Sequence, residues 1–234
     1  MVKSTSENAL KNKKKKKPGR SQKRSGSAGT TARNQARVSP SGNKTAARNV
    51  IFLVGFMGAG KSSVGRALGE RLNWVFEDLD DRIERRANRK VADIFRDSGE
   101  PEFRRAEYEA LQEVLQELRG GVSRIVALGG GAFVQDKNAK LLRGAGVTTL
   151  FLDAPVEELW DRCCRQAGEL GAERPLHRSK DQFHELYQTR RKKYSGASFR
   201  VETGGLAVDT IADEIVQRLK LKSIEIRKVE GEVE

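Results

Sequence analysis

No stretch of the chain approaches the roughly 18 consecutive apolar residues needed to cross a bilayer, so the sequence offers no membrane-spanning helix. Its first residues contain no apolar h-region, which argues against a secretory signal. Cysteine is nearly missing. The two present, Cys163 and Cys164, are adjacent, so they make no disulfide framework and lack the spacing of metal ligands. They read as thiols on a helix in a reducing compartment. Histidine is as scarce: His177 and His184 form no ligand set and read as surface residues. No internal repeat is visible. Most of the chain also lacks net charge, although the total is +13. Residues 1–48 hold fourteen Lys and Arg against Glu7 alone, and the remainder balances at thirty-one of each sign. The basic character therefore belongs to a tail, and the neutral body gives no reason to expect a nucleic-acid-binding fold.

Residues 1–48 also have almost no large apolar side chains. They cannot bury enough surface to fold, and a disordered basic tail is expected. The near-continuous charge of Lys11–Arg20 leaves four readings open. It is a tether for nucleic acid or another polyanion, a localisation signal, a cleaved transit sequence, or a solvated tail with no specific role. Its lysines fit poorly with an Arg- and Ser-rich transit peptide.

From residue 49 the pattern changes, and residues 49–222 read as one folded domain, followed by a charged end over 223–234. Val50–Val54 is wholly apolar and ends at a glycine, the pattern of a strand buried on both faces of a parallel sheet. A helical stripe of Val64, Ala67, Leu68 and Leu72 follows. Trp74–Phe76, Ile125–Leu128, Thr148–Leu152 and the stretch from Phe199 to Thr203 read as four more strands. Helical patterns fill the gaps. Two run over 80–87 and 91–97, with Gly99 as a cap, and a long amphipathic one carries Phe103, Ala106, Ala110, Leu111, Val114 and Leu118. A last one carries Ile211, Ile215, Val216 and Leu219. Alternating strands and helices predict a three-layer α/β fold, a five-stranded parallel sheet covered on both faces. Residues 166–180 are polar and contain Gly168 and Gly171, the character of a mobile lid.

Gly55-Phe56-Met57-Gly58-Ala59-Gly60-Lys61-Ser62 matches G-x4-G-K-[ST], after a strand and at the start of a helix. Glycines let the backbone wrap so that several N–H groups converge on one phosphate, and the helix presents its positive end to the same anion. Gly58, Ala59, Gly60, Lys61, Ser62 and Ser63 are the expected nucleotide-binding residues. Lys61 reaches the outer phosphates and Ser62 holds Mg²⁺. The loop specifies a nucleoside triphosphate and leaves the reaction open.

The acceptor side must come from the rest of the chain. Alternation along a strand puts Asp78 and Asp80 of Asp78-Leu79-Asp80 on one side at a strand's carboxyl end. They read equally well as a metal-and-base pair or as acids dressing a helix N-terminus. Arg104 and Arg105 begin a helix against the dipole preference, and Arg104 beside Phe103 looks like a clamp for a planar carboxylate. Gly129-Gly130-Gly131 directly follows a strand and permits close approach of a ligand. Arg174 lies in the expected lid, where a closing loop delivers charge to a transferring phosphoryl group. Arg190, late in a helix, reads by itself as a solvated helix end.

Taken in order, G-x4-G-K-S, D-L-D, A-D-I-F, G-E-P-E-F-R-R-x-E, G-G-G, R-P-L and R-x3-Y make residues 50–220 resemble the shikimate kinase family. The resemblance implies transfer of the γ-phosphate of ATP, with Mg²⁺, to the 3-hydroxyl of shikimate, a step towards aromatic amino acids. It implies that Asp78 helps hold the metal through water and that Asp80 binds the reacting hydroxyl as its base. Arg104 and Arg190 become the pair gripping the shikimate carboxylate, which replaces the solvated reading of Arg190. Gly129, Gly130 and Gly131 become substrate-facing glycines, Phe95 and Phe103 the aromatic wall, Arg174 the lid arginine, and Arg162 the arginine packed against adenine. The tail lies outside the family core, and His177 stands where an apolar residue is usual. The implied protein is a cytoplasmic monomer, or plastid-located if the tail is a transit sequence. It is not membrane-bound, and only its tail is suited to nucleic acid. The competing readings are another small P-loop kinase, such as a gluconate kinase, and a catalytically idle homologue used as a binding module.

Overall fold

A computed structural model describes residues 50–170 and 179–224. In chain order the elements are β1 (Val50–Val54), α1 (Lys61–Leu72), β2 (Val75–Asp78), α2 (Leu79–Ala87), α3 (Val91–Glu117), β3 (Arg124–Ala127), α4 (Asp136–Ala145), β4 (Thr148–Asp153), α5 (Val156–Leu170), α6 (Lys180–Tyr194), β5 (Phe199–Glu202) and α7 (Val208–Leu219). The five strands form one parallel sheet in the order β2-β3-β1-β4-β5, as expected. All five β1 residues are buried. Alternate side chains on a strand point to opposite faces, so both faces of the central strand are covered. Each large aliphatic side chain buried this way contributes about 1.5–3 kcal/mol. Among the described residues, no helix is long and apolar enough to cross a membrane.

Helix boundaries follow local chemistry. Asn73 ends α1 in the left-handed conformation, at φ 54°, which asparagine tolerates better than most residues. Within α3, Gly99 has φ 79° and ψ 172°, which breaks the helix two residues before Pro101. The expected pair of helices is thus present, meeting at this kink within α3. Ser179 and Gln182 form a reciprocal capping box that starts α6. The second strand lies further along the chain than its sequence pattern indicates, reaching Asp78. Glu77 explains the extension. It is nearly buried, yet it accepts from Arg82 at 2.7 Å, Arg124 at 2.8 Å and Arg85 at 3.3 Å. Arg82 and Arg124 also hold Glu117, so one ionic knot ties β2, β3, α2 and α3 together. Ile224, expected in a charged frayed end, instead donates its N–H to Leu72 O at 2.9 Å.

α1 lies close on the sheet because it carries no side chain at Gly65. A Cβ there would sit 2.2 Å from a ring carbon of Phe76. Gly65→Ala is expected to cost about 1–3 kcal/mol through overpacking, despite the better helix propensity of alanine. A urea titration reads this as a lower midpoint; an unchanged or raised midpoint would show that the ring yields.

Candidate active site

Because all strands run the same way, the loops after β1, β2 and β3 meet at one edge of the sheet. The loop after β1 wraps tightly under α5. At Gly58, with φ 77°, a Cβ would lie 2.8 Å from Leu159 O and 3.0 Å from Cys163 Sγ. α1 then starts at Lys61 with no acid in its first turn and no side-chain cap. Its first N–H groups, including those of Ser62 and Ser63, therefore face outward for an anion. Lys61 Nζ donates to Gly55 O at 3.1 Å and Phe56 O at 2.9 Å, curled over the loop. Burial holds its ammonium below the usual lysine pKa, against the pull of Asp80 and Asp78. Arg162 of α5 reaches the same loop, donating to Gly58 O at 3.4 Å and pairing with Glu158.

The acids at the end of β2 and the start of α2 are brought together by capping rather than by strand alternation, which corrects the sequence-based expectation. Asp78 is the N-cap of α2, and its Oδ1 accepts from the Asp80 N–H at 3.1 Å. Its Oδ2 accepts from Ser62 Oγ at 2.7 Å, which joins the two loops. Asp80 lies in the first turn of α2. Its Oδ1 is enclosed without a hydrogen-bond partner. Burial, with Asp78 beside it, lifts the Asp80 carboxyl to about 6.

The glycines after β3 gather the remaining groups. A Cβ at Gly129 would lie 2.7 Å from Asp80 Oδ1, and one at Gly131 2.5 Å from the Arg104 guanidinium. One at Gly130 would lie 3.6 Å from Met57 N and 3.8 Å from Arg190 Nη1. Asp80, Arg104, Arg190 and the phosphate loop therefore border one glycine ridge. Arg190 and Tyr194 of α6 both donate to Gly130 O, Arg190 at 3.4 Å. Phe95 and Phe103 stack with ring centres 4.4 Å apart, and the Arg104 guanidinium lies 5.1 Å from Phe103. Phe103 is buried, while Phe95 is 38% exposed at the rim.

One residue in the site carried no role in the sequence reading. Glu107 is fully buried and accepts from Arg104 Nη1 through both oxygens at 3.1 Å. Asn138 adds a contact at 3.4 Å. Burial pushes the Glu107 carboxyl up to about 7, against the opposing pull of Arg104. The signal was legible as Arg104-x-x-Glu107, the i, i+3 spacing that places both on one helix face. His184 departs from expectation: it is half-buried, with Nε2 enclosed. Arg174 and His177 lie outside the described residues, as does most of the expected lid. Residues 166–170 of that stretch belong to α5, and Lys180 opens α6. A separate groove of about 930 Å³ runs along the outer edge of β2 and shares only Asp78 with these groups.

Residues 57–220 match the family model described as shikimate kinase. The chain belongs to the shikimate kinase family. It is 37% identical over 171 residues to the shikimate kinase of Persephonella marina, covering 73% of this chain and 98% of that protein. It is 38% identical over 172 residues to a shikimate kinase of Thermus thermophilus, covering 72% of this chain and 89% of that one. Among solved structures, the Acinetobacter baumannii shikimate kinase in complex with shikimate superposes with a TM-score of 0.64 at 32% identity. The match covers 74% of this chain and 93% of that one.

The glycine ridge of this shikimate kinase homologue yields a direct test. Gly131→Ala should displace the Arg104 guanidinium while leaving the fold intact. Melting by circular dichroism should change little, and the apparent affinity for the acceptor should fall about tenfold, the loss of one charged hydrogen bond. An unaltered affinity would show that Arg104 does not need the space above Gly131.

Proposed function

We propose that this chain transfers the γ-phosphate of ATP to the 3-hydroxyl of shikimate, giving shikimate 3-phosphate and ADP. The observation that carries the reading is the convergence of an enclosed carboxylate, two arginines and a phosphate loop on Gly129–Gly131. Shikimate is a small ring acid with several hydroxyls. It calls for guanidinium partners at one end and a proton acceptor at the other, rather than a large apolar pocket. Arg104 and Arg190 supply the first, with Phe95 and Phe103 as the wall beside the ring. Asp80 supplies the second. Its carboxylate accepts a hydrogen bond from the 3-hydroxyl, and its raised pKa makes it a competent base near neutrality.

Lys61 and the open N-terminus of α1 hold the triphosphate. Lys61 offsets the charge that develops on the transferring group. Arg162, whose guanidinium reaches Gly58 O, would pack against the adenine, and Arg174 is assigned to the phosphoryl group from the lid sequence. The Ser62 hydroxyl and the Asp78 carboxylate, 2.7 Å apart, are the hard oxygen donors that Mg²⁺ prefers. Ser62 would hold the ion directly and Asp78 through water. Bound there with ATP, Mg²⁺ would neutralise phosphate charge. All groups named lie on one chain, so the reading needs no second subunit, and a cytoplasmic location is kept from the sequence.

A coupled ADP-release assay tests the reading, with turnover expected on shikimate and not on gluconate. Turnover on gluconate alone would overturn it, and no turnover on either would favour the idle homologue. Because the base must be unprotonated, kcat/KM for shikimate should fall as pH drops through about 6, the raised pKa of Asp80. Asp80→Asn should lose on the order of 10²–10⁴ in kcat together with this acidic limb. A variant that kept the limb would assign it to another group.

A further inference from the structure

Asp153, the last residue of β4, is a carboxylate that the reaction above does not use. Its side chain is only 4% exposed, yet it takes three partners. The Tyr187 hydroxyl donates to Oδ1 at 2.9 Å. Arg191 donates to Oδ2 at 2.7 Å and to Oδ1 at 3.3 Å, and Arg200 Nε lies 2.8 Å from Oδ2. Tyr187 and Arg191 are four residues apart on α6, one turn of the same face. Arg190 and Tyr194 are also four apart, and both donate to Gly130 O. α6 is thus fastened to the sheet edge by two adjacent pairs, one on Asp153 after β4 and one on the glycine ridge after β3.

The two fastenings differ in what they hold: on the ridge the buried Tyr194 is the close donor and Arg190 the distant one, whereas on Asp153 both α6 donors are close. At 3.4 Å, the Arg190 bond to Gly130 O is too long to fix that side chain, and its guanidinium stays available to a ligand. α6 also holds Ala154 O through Tyr187 at 3.1 Å and pairs Lys193 with the exposed Asp136 at 2.7 Å, and it makes aromatic contacts besides. Phe183 and Tyr187 meet Phe56 edge-on at 5.0 Å and 5.5 Å, and Tyr194 lies 5.3 Å from Phe151. Apolar burial sets a helix against a sheet but is weakly directional. A buried carboxylate with charged, directional donors is not. Slipping α6 by one residue would turn Arg190 by about 100° away from the ridge, and Asp153 would lose both of its α6 partners.

We propose that Asp153 is a positioning residue that sets the register of α6 and so aims Arg190 at the acceptor carboxylate. The proposal rests on the shikimate reading for its substrate, but its geometry stands apart from it. Asp153 acts on Arg190 through α6, whereas Glu107 holds Arg104 directly.

Asp153→Asn keeps the shape and removes the charge. It should raise KM for shikimate about tenfold, with KM for ATP and kcat within about twofold. In an Arg190→Ala background the same change should add nothing to KM, since Asp153 acts through Arg190. Hydrogen exchange of the α6 amides should speed up while that of α1 stays unchanged. Equal rises in both KM values, additivity with Arg190→Ala, or unaltered α6 exchange would each overturn the proposal. Should Asp153→Asn fail to fold, Arg191→Met removes the same contact from a partly exposed position and carries the same expectations. If the unaltered protein does not turn over shikimate, the substrate reading falls and α6 exchange alone decides the register.

Discussion

Where Gly129 and Gly131 lack a side chain, a Cβ would come within 2.7 Å of the Asp80 carboxylate and 2.5 Å of the Arg104 guanidinium. The chemistry of the edge depends on that emptiness. Asp80 is enclosed because the backbone of Gly129 closes over it, and enclosure raises its pKa towards a useful range. Arg104 lies flat along Gly131 because nothing projects there, which leaves Glu107 free to grip it from behind. A single methyl group on the ridge would open the first pocket or push the second group out.

Around the ridge, each charged group is held by a partner the substrate does not need. Glu107 orients Arg104, the Asp78 cap orders the start of α2 where Asp80 lies, and Lys61 curls onto the carbonyls of its own loop. Such support lets a site act without first rearranging its charges. Phe56 extends the arrangement to α6, since its ring meets Phe183, Tyr187 and the Arg190 guanidinium. The loop after β1 and Arg190 therefore share one aromatic side chain.

Much of this was legible in the sequence, for reasons particular to each element. β1 was clear because a central strand must be apolar on both faces, and Val50–Val54 is. Gly99 announced its break because its role is conformational. β2 was harder: Glu77 and Asp78 look like loop residues until Arg82, Arg85 and Arg124 are seen neutralising Glu77 from distant elements. Arg190 was singled out by the family resemblance alone; by its local pattern it could not be told from a solvated helix end, because only the fold brings residue 130 beside it. Asp153 was invisible for the same reason. Its partners lie thirty-four and more residues downstream and form no local pattern.

The knot at Glu77 has a consequence for how the protein answers to heat. Dehydrating a charge costs less as temperature rises, whereas the benefit of burying hydrocarbon levels off. The corner that carries Asp78 and Asp80 is fastened by the first kind of attraction at Glu77 as well as by the buried Leu79 and Ile83. On warming, the dehydration cost of the knot falls, so its contribution to holding the acids at the end of β2 persists where that of hydrocarbon burial stops growing.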